Sequence, residues 1–348
     1  MDYQTLKMNL YPLNDDELFY KRYYFAKQQE YSLSKFLSEL DLKDVKQRNL
    51  IVPEIKDTIP PKFEDSFFFD IHDDKSIVVQ KHNRYSPPIT HSHTFFELIY
   101  VYDGTCEQYV EGKEFQLKSG DICIIPPNIS HSITVFDESI IINVLIRKNT
   151  FHNVFFNFTR TESSLSSFFI NNIYSKNGND YIIYHTGSDD AIADSFIYML
   201  LESTNKEIYY YEMISQTLML TFGLLVRNYE KTIELPTFKK KSDVQRFALL
   251  QYIQENSASI SLDSVADHFH YTPEYTSKLI KQTTGKTFTE IIQQLRIERA
   301  QVLLKDTNLT VSNISQKVGY DTTEHFIRVF KKNIHLTPTQ YRHYGEQL

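Results

Sequence analysis

The sequence predicts a multidomain protein of mixed α and β class. A jelly-roll β-barrel with a helical companion is followed by an all-α module built from two helix-turn-helix units. Three observations carry this prediction. Between Ser66 and Arg147, seven short β-branched or aromatic runs are separated by turn signals, as in an antiparallel barrel or jelly roll. From residue 151 to 231 the apolar positions recur at helical spacing. From residue 243 to 348 one pattern occurs twice, and a duplicated helical unit of this kind offers one polypeptide two helices for the DNA major groove.

A chain of 348 residues has room for two or three domains, each with its own core. The net charge of −7 does not suggest a nucleic-acid binder, but the charge is uneven. Residues 237–348 carry 15 Lys and Arg against 11 Asp and Glu, a balance of +4 that leaves −11 on the remainder. A basic C-terminal module on an acidic body fits DNA binding by one part only. No apolar run reaches the length of a membrane-spanning helix, and the N-terminus lacks a basic region followed by an apolar run. The expected location is the cytoplasm, with no membrane partner. Cys106 and Cys123 sit in apolar, strand-like contexts and read as two buried thiols rather than a disulfide.

Residues 1–66 form an N-terminal extension, partly helical. Asp15 to Leu42 is helix-compatible, with Phe19, Tyr23, Tyr24, Phe36, Leu37 and Leu40 as its apolar positions, and Pro53, Pro60 and Pro61 then break regular structure. Residues 67–150 form the barrel. Its expected strands are Phe67–Ile71, Ile77–Lys81, Phe95–Tyr102, Glu107–Val110, Ile122–Ile125, Ser132–Phe136 and Ile140–Ile146. Residues 151–231 form a helical region. Asp189 or Asp190 caps one helix carrying Ile192, Phe196, Met199 and Leu200. A longer helix carries Tyr210, Ile214, Leu218, Thr221, Leu225 and Tyr229, with Met213, Phe222 and Val226 beside them. This stripe is wide enough to cover the barrel with one part and meet a second subunit with another, so the region is assigned to dimerisation. Residues 232–242 are a linker, broken by Pro236, whose Lys239-Lys240-Lys241 run is solvated and within reach of phosphate.

Residues 243–348 begin with a helix from Asp243 to Glu255. Ser261 caps Leu262–Phe269, and Thr272 caps a helix that starts at Pro273 and ends near Gly285. Thr287–Leu304 reads as one rod, roughly 27 Å long at ~1.5 Å per residue. That is of the order of one DNA turn, ~34 Å. Thr310 caps the next short helix, Asp321 is expected to cap a second reading helix over Thr322–Asn333, and Thr337-Pro338 starts a closing helix. Tyr271 matches Tyr320 at an offset of 49, whereas Lys278-Leu279-Ile280-Lys281 matches Arg328-Val329-Phe330-Lys331 at an offset of 50. One residue is therefore inserted between these blocks in the second copy.

Helical spacing selects the base-reading candidates. In the first unit Glu274, Ser277, Lys278 and Lys281 share one face, and Tyr275, Leu279 and Ile280 are assigned to the core. In the second, Thr323, Glu324, Ile327 and Arg328 are expected outside, with Phe326, Val329 and Phe330 packed inward. Lys278 and Arg328 are the strongest candidates, because a long cation can pair with guanine O6 and N7. Lys281, Lys331 and Lys332 are assigned to phosphate. A glutamate repels phosphate but accepts from cytosine N4. For each of these the alternative is an ordinary solvated side chain.

The last hundred residues resemble the DNA-binding domain of the AraC/XylS transcriptional regulators. The resemblance rests on Gly319-Tyr320, Phe326, Arg328, Phe330-Lys331-Lys332, Thr337-Pro338 and Tyr341-Arg342, with Leu295-Arg296, Ala300 and Leu303-Leu304 in the rod. It implies base contacts from the positions just named. Ser315 stands where the family has Ala, Thr276 and Ile280 where it has Leu and Phe, and His335 where a Gly normally ends the helix in a left-handed conformation. A local adjustment at His335 is expected.

Within the barrel, His91-x-His93-x3-Glu97-x6-Gly104 and, later, Gly120, Pro126 and His131 are similar to the two cupin motifs. His91, His93 and Glu97 are separated by even numbers and share one strand face, where His131 can join them from a neighbouring strand. Asn128 replaces a motif glycine, Val135 an asparagine, and Tyr85 a glycine before the first motif. Three imidazoles and a carboxylate suit Fe, Mn, Ni or Zn, but the resemblance favours a polar lining of an effector pocket, with no metal and no cofactor. Structural hydrogen bonding is the third reading. Tyr100 and Tyr102 join the expected ligand set because, with Phe95, Phe96 and Tyr109, they can stack on a sugar ring.

The expected function is a sequence-specific DNA-binding transcriptional regulator, not an enzyme. A cupin-like sensor binds a small molecule, with a sugar as the family-level expectation. The expected partners are double-stranded DNA, that effector, a second copy of the chain, and RNA polymerase. Two alternatives stay open: a cupin metalloenzyme fused to a DNA-binding domain, and a ligand-independent regulator controlled by a protein partner.

Overall fold

The structure, a computed structural model, describes residues 1–56, 77–147, 181–234, 248–250 and 252–346, together with Phe63, Phe68, Phe69, Leu165, Phe168, Phe169 and Asn172. The chain divides into two compact units, Met1–Phe151 with Asn179–Pro236, and His152–Gly178 with Thr237–Leu348.

The first unit begins with four helices: α1 (Tyr3–Asn9), α2 (Asp15–Lys27), α3 (Glu30–Ser38) and α4 (Leu42–Gln47). Asp2 caps α1, an Asn14–Glu17 capping box starts α2, and Asp41 caps α4. The helix-compatible stretch from Asp15 to Leu42 is thus two helices. Gln29 is extended at the break, and the reversal brings Phe36 back onto Phe19 and Tyr23, with ring centroids 5.5 and 5.8 Å apart. Burying that aromatic cluster outweighs continuing one helix into solvent.

These helices are anchored to the sheets by a buried ion network. Glu17 is fully buried and Arg84 is 1% exposed. Arg84 Nε donates to Glu17 Oε1 at 2.9 Å, and its other nitrogens donate to Glu138 Oε2 and to the carbonyls of Tyr11 and Pro12. Lys81 Nζ donates to Glu17 Oε2 at 2.8 Å. Burial pushes the Glu17 carboxyl up, but Arg84 and Lys81 hold it below its ordinary value.

Eight strands follow: β1 (Ile77–Lys81), β2 (Phe96–Asp103), β3 (Thr105–Val110), β4 (Lys113–Lys118), β5 (Asp121–Ile125), β6 (His131–Thr134), β7 (Ile140–Ile146) and β8 (Ile182–His185). They form two antiparallel sheets, β1-β7-β2-β5-β8 and β4-β3-β6. The expected jelly-roll barrel is thus a jelly-roll-like pair of sheets. Gly104, at φ +79°, turns the chain from one sheet into the other, and a Cβ there would stand 2.0 Å from Ser139 Oγ. Ile99, Val101, Cys106, Val110, Cys123, Ile125 and Ile141 fill the core. Both thiols are free and buried, and burial pushes the Cys106 thiol up to about 12.

Two strands escape the sequence reading. In β4 only Phe115 and Leu117 turn inward among charged and amide neighbours. Strand β8 lies inside the stretch assigned to helices, yet Ile182–His185 pairs with Asp121–Ile124 and extends the larger sheet. The expected Phe67–Ile71 strand lies mostly outside the described residues, and of its described positions Phe68 is helical and Phe69 a bend.

Helix α5 (Asp190–Asn205) is capped by Asp189, and α6 (Tyr210–Tyr229) packs beside it. Phe196 of α5 stacks on Tyr100 at 4.1 Å and 14°, so the outer face of β2 is roofed by helix. Helix α6 buries Ile214, Leu218, Phe222 and Leu225, while Met213 and Leu220 stay 53% and 60% exposed.

In the second unit the backbone is helical at 248–250 and 252–255, within the helix expected over Asp243–Glu255. Six helices follow: α7 (Leu262–His268), α8 (Pro273–Thr284), α9 (Phe288–Asp306), α10 (Val311–Lys317), α11 (Thr323–Ile334) and α12 (Pro338–Glu346). Ser261, Thr272 and Thr310 cap α7, α8 and α10 as expected, and Thr287, expected inside the rod, caps α9. Asp321 does not cap α11. Thr322 does, its hydroxyl accepting from His325 N, because Asp321 is the extra residue of the second copy and Thr322 is the true counterpart of Thr272. Among the described residues no helix is long and apolar enough to cross a membrane.

Candidate nucleic-acid interface and sensor site

Helices α8 and α11 each follow a short helix and a tight turn. Their N-termini are set by matching threonines, the Thr272 hydroxyl accepting from Tyr275 N and the Thr322 hydroxyl from His325 N. Their C-termini match too, with Gly285 at φ +71° and His335 at φ +63°. The histidine at the family's glycine position therefore keeps the left-handed turn.

Glu274, Lys278 and Lys281 are exposed on α8, with Ser277 half-buried. Glu324, Arg328, Lys331 and Lys332 are exposed on α11, with Thr323 and Ile327 half-buried. Ile327 leans on the core of Ile314, Phe326, Val329 and Phe330. Glu324, Ile327, Arg328, Lys331 and Lys332 line one shallow, open depression. Among the described residues none of Lys278, Arg328, Lys331 and Lys332 is held in an ion pair, so their charge faces outward.

One assignment is corrected. Tyr275 is 51% exposed, and the fully buried residue beside it is Thr276. The repeat carries the signal: Tyr275 is the counterpart of His325, also exposed, and Thr276 of the buried Phe326. Arg296 of α9 has a role that spacing did not suggest. Its guanidinium donates to the carbonyls of Ser257 and Ala258 at 2.9 and 3.0 Å and lies over the Tyr320 ring at 5.5 Å. It joins the turn before the first helix-turn-helix to the turn within the second. Arg342 does similar work later, donating to Leu304 O and Leu309 O.

In the first unit, His91, His93, Glu97 and His131 come together as the spacing predicts. His91 and His131 form a reciprocal bridge, each amide donating to the other's carbonyl at 2.9 Å. The Nδ1 of His91 lies 2.9 Å from Ile89 O, and that of His131 lies 3.1 Å from Ile129 O. A carbonyl only accepts, so both Nδ1 atoms carry hydrogen. His131 Nε2 is 3.1 Å from Glu97 Oε2, and His93 Nε2 is 3.3 Å from the same oxygen. Glu97 Oε1 accepts from Asn143 Nδ2 at 2.9 Å.

Burial pushes the Glu97 carboxyl up, but His131 and His93 overcome it and hold the group well below the ordinary carboxylate value. Burial pushes His91 down to about 4, aided by the neighbouring His131. Two motif departures are conformationally equivalent to the glycines they replace, Asn128 at φ +66° and Tyr85 at φ +63°. Val135 is simply buried core.

Tyr100 and Tyr102 do not join the cluster. They lie an odd number of residues from Glu97, so the pleat turns them to the opposite face, where Tyr100 packs under Phe196. Asn143 is the partner that the sequence reading missed. A lone amide within Ile140–Ile146 was the available sign, since a buried polar group requires a hydrogen-bond partner.

An AraC-like ligand-binding domain family matches residues 79–140, and a helix-turn-helix domain family matches residues 265–344. The uncharacterized HTH-type transcriptional regulator YijO of Escherichia coli (strain K12) is 36% identical over 103 residues, 29% of this chain and 36% of that protein. The HTH-type transcriptional activator RhaR of Mannheimia succiniciproducens is 23% identical over 276 residues, 78% of this chain and 93% of that one. Among solved structures, the C-terminal domain of AraT, a response regulator from Geobacillus stearothermophilus, is 38% identical, with 28% of this chain and 84% of that chain covered at a TM-score of 0.28. The chain spans 11–52% of the length of the first four curated relatives it matches.

Proposed function

As an AraC-family protein that joins an AraC-like ligand-binding domain to a helix-turn-helix domain, this chain is, we propose, a ligand-responsive regulator of transcription. The observation that carries the reading is the paired construction of α8 and α11. Each is capped by a matching threonine, closed by a left-handed residue, packed on its own core and exposed along a cationic face. Relatives of the helix-turn-helix segment are named as transcriptional regulators, and RhaR, named as an activator, aligns along most of this chain.

In this reading Lys278 and Arg328 read base edges in successive major grooves. Lys281, Lys331 and Lys332 hold phosphate, and Glu274, Ser277, Thr323, Glu324 and Ile327 complete the two surfaces. Tyr275 joins the first surface because of its exposure. The effector is a small molecule recognised beside His91, His93, Glu97 and His131, with a sugar as the leading class. Two copies meet through the exposed stripe of α6 at Met213 and Leu220, which has no apolar cover within the described residues. The protein acts in the cytoplasm, with RNA polymerase as its further partner. An effector changes DNA binding only as far as it binds the two arrangements of the dimer with different affinity.

Selection from a pool of randomised duplexes tests this function. The full chain should enrich one sequence with two elements a helical turn apart. Failure to enrich any sequence over bulk DNA overturns the reading. Thermal unfolding against a panel of sugars tests the effector, since a ligand at about 100 times its Kd adds ~2.7 kcal/mol of stability.

A further inference from the structure

Helices α2 and α3 precede the segment that matches the AraC-like ligand-binding family, which begins at residue 79. Neither the sensor cluster nor the DNA-reading surfaces use them. Helix α2 is apolar on two sides. On its inner side Tyr20 and Tyr23 are buried beside Phe36. On its outer side Leu18 and Phe25 are 48% and 59% exposed. Arg22 stands between them, four residues after one and three before the other, so the three share one face. On α3, Tyr31 is 83% exposed. Together with Lys35 and Glu39 these side chains line an open groove of ≈ 730 Å³ between the two helices, with Phe36 at its floor. A helix that is apolar on two sides has two faces to bury. Contiguous exposed apolar groups rimmed by charge mark an interaction site.

The charge of the rim selects the occupant. Lys21, Arg22 and Lys35 line the groove against one carboxylate, Glu39. Lys21 is tied to Glu138 at 3.1 Å. Lys35 faces Glu39 at 4.0 Å, with both side chains more than half exposed. An exposed pair of that kind is weak, so Lys35 can exchange Glu39 for a carboxylate from outside. Arg22 is in no ion pair among the described residues, and its guanidinium lies over the Phe36 ring at 5.9 Å. A second copy of the chain fits poorly. A two-fold contact through this groove sets the same cations against their own copies, and like charges so placed repel. An acidic partner meets no such penalty.

We propose that the α2–α3 groove receives one amphipathic helix of a partner protein. Its apolar face packs on Leu18, Phe25 and Tyr31, and its flanking carboxylates meet Arg22 and Lys35. Helix α2 has 13 residues, roughly 20 Å at ~1.5 Å each, so the occupant is about three to four turns long.

The test selects binders of the full chain from a displayed library of amphipathic peptides about four turns long. Apolar positions vary among Leu, Ile, Met and Phe, and flanking positions between Glu and Lys. Enriched peptides should carry Glu on the flanks. In anisotropy titrations the best of them should saturate, and its Glu→Lys version should bind about tenfold or more weakly. Phe25→Ser in the chain should also cost about tenfold or more, as loss of a central aromatic anchor does. Arg22→Glu combined with Lys35→Glu should turn the preference toward Lys flanks. These side chains are exposed, so the variants should keep the wild-type circular dichroism. No enrichment, enrichment without a Glu preference, or binding that Phe25→Ser and the charge reversal leave unchanged overturns the proposal. Two further controls use Phe25→Ser without peptide. If that substitution abolishes self-association in sedimentation, the groove belongs to a second copy. If it abolishes binding to phosphatidylserine vesicles, the groove belongs to a membrane surface. Either result also overturns the proposal.

Discussion

Gly319 packs against the carbonyl oxygen of Ala258 so closely that a Cβ on it would stand 1.8 Å from that oxygen. The same carbonyl accepts from Arg296, whose guanidinium covers Tyr320. One backbone oxygen thus meets the turn of the second helix-turn-helix and the rod that carries it. Gly319 also sits at φ +92°, where an L side chain is strained by about 1–2 kcal/mol before any clash. Gly319→Ala should destabilise the second unit by more than that amount and weaken DNA binding with it. Paired denaturation and DNA titrations check this, and a variant of wild-type stability would remove the close approach from the account.

The ends of the two reading helices are unequal. Gly285 and His335 occupy the same left-handed position, but only the glycine does so without steric cost. His335→Gly should stabilise the chain by about 0.5–1 kcal/mol, the gain in backbone freedom being partly offset by the looser unfolded chain. Urea unfolding measures it, and a loss of stability would show that the His335 side chain makes a compensating contact.

Glu17 and Arg84 tie the N-terminal helices to the sheets. Removing one partner leaves a buried charge unpaired, which costs about 3–5 kcal/mol. Glu17→Ala should therefore cost about that much in denaturant unfolding. Replacing Glu17 and Arg84 together by apolar residues should recover much of the loss. A small effect of Glu17→Ala alone would mean that the N-terminal helices are not coupled to the sheets.

His185 of β8 bridges Asp121 at 2.8 Å and Glu234 at 3.0 Å. Burial pushes its pKa down, but the two carboxylates raise it above the ordinary value overall. A raised folded-state pKa stabilises fully below about pH 6.5 and the contribution fades as pH rises through the folded value. Melting temperatures of wild type and His185→Gln should therefore differ most near about pH 6 and converge toward about pH 9. A difference independent of pH would contradict this.

The second unit was the more legible in sequence because its signals are local. Caps, a proline at the first helical position and a repeat with a fixed offset each act within a few residues, and the caps expected at Ser261, Thr272 and Thr310 stand. The miss at Asp321 came from placing the inserted residue on the wrong side of the cap. The first unit was legible where alternation is strong, as in β2 and β7. It failed at β4, whose inward face is only Phe115 and Leu117, and at β8, whose partner lies some sixty residues away in the chain. The His91, His93, Glu97 and His131 set followed from even spacing, and the same parity rule excludes Tyr100 and Tyr102. The Arg84–Glu17 pair was out of reach, because a contact between distant segments leaves no local pattern, whereas Asn143 left one sign, a lone amide in an apolar strand, that did not name its partner.

The central claim is that two unequal helices of one chain read two successive major grooves. It is tested most directly by titrating wild type, Lys278→Ala and Arg328→Ala against a selected duplex and its single-base variants. Each substitution should cost about 1–3 kcal/mol and relax preference at one base pair, the two positions lying about one helical turn apart. Unchanged affinity and unchanged base preference in both variants would contradict the account.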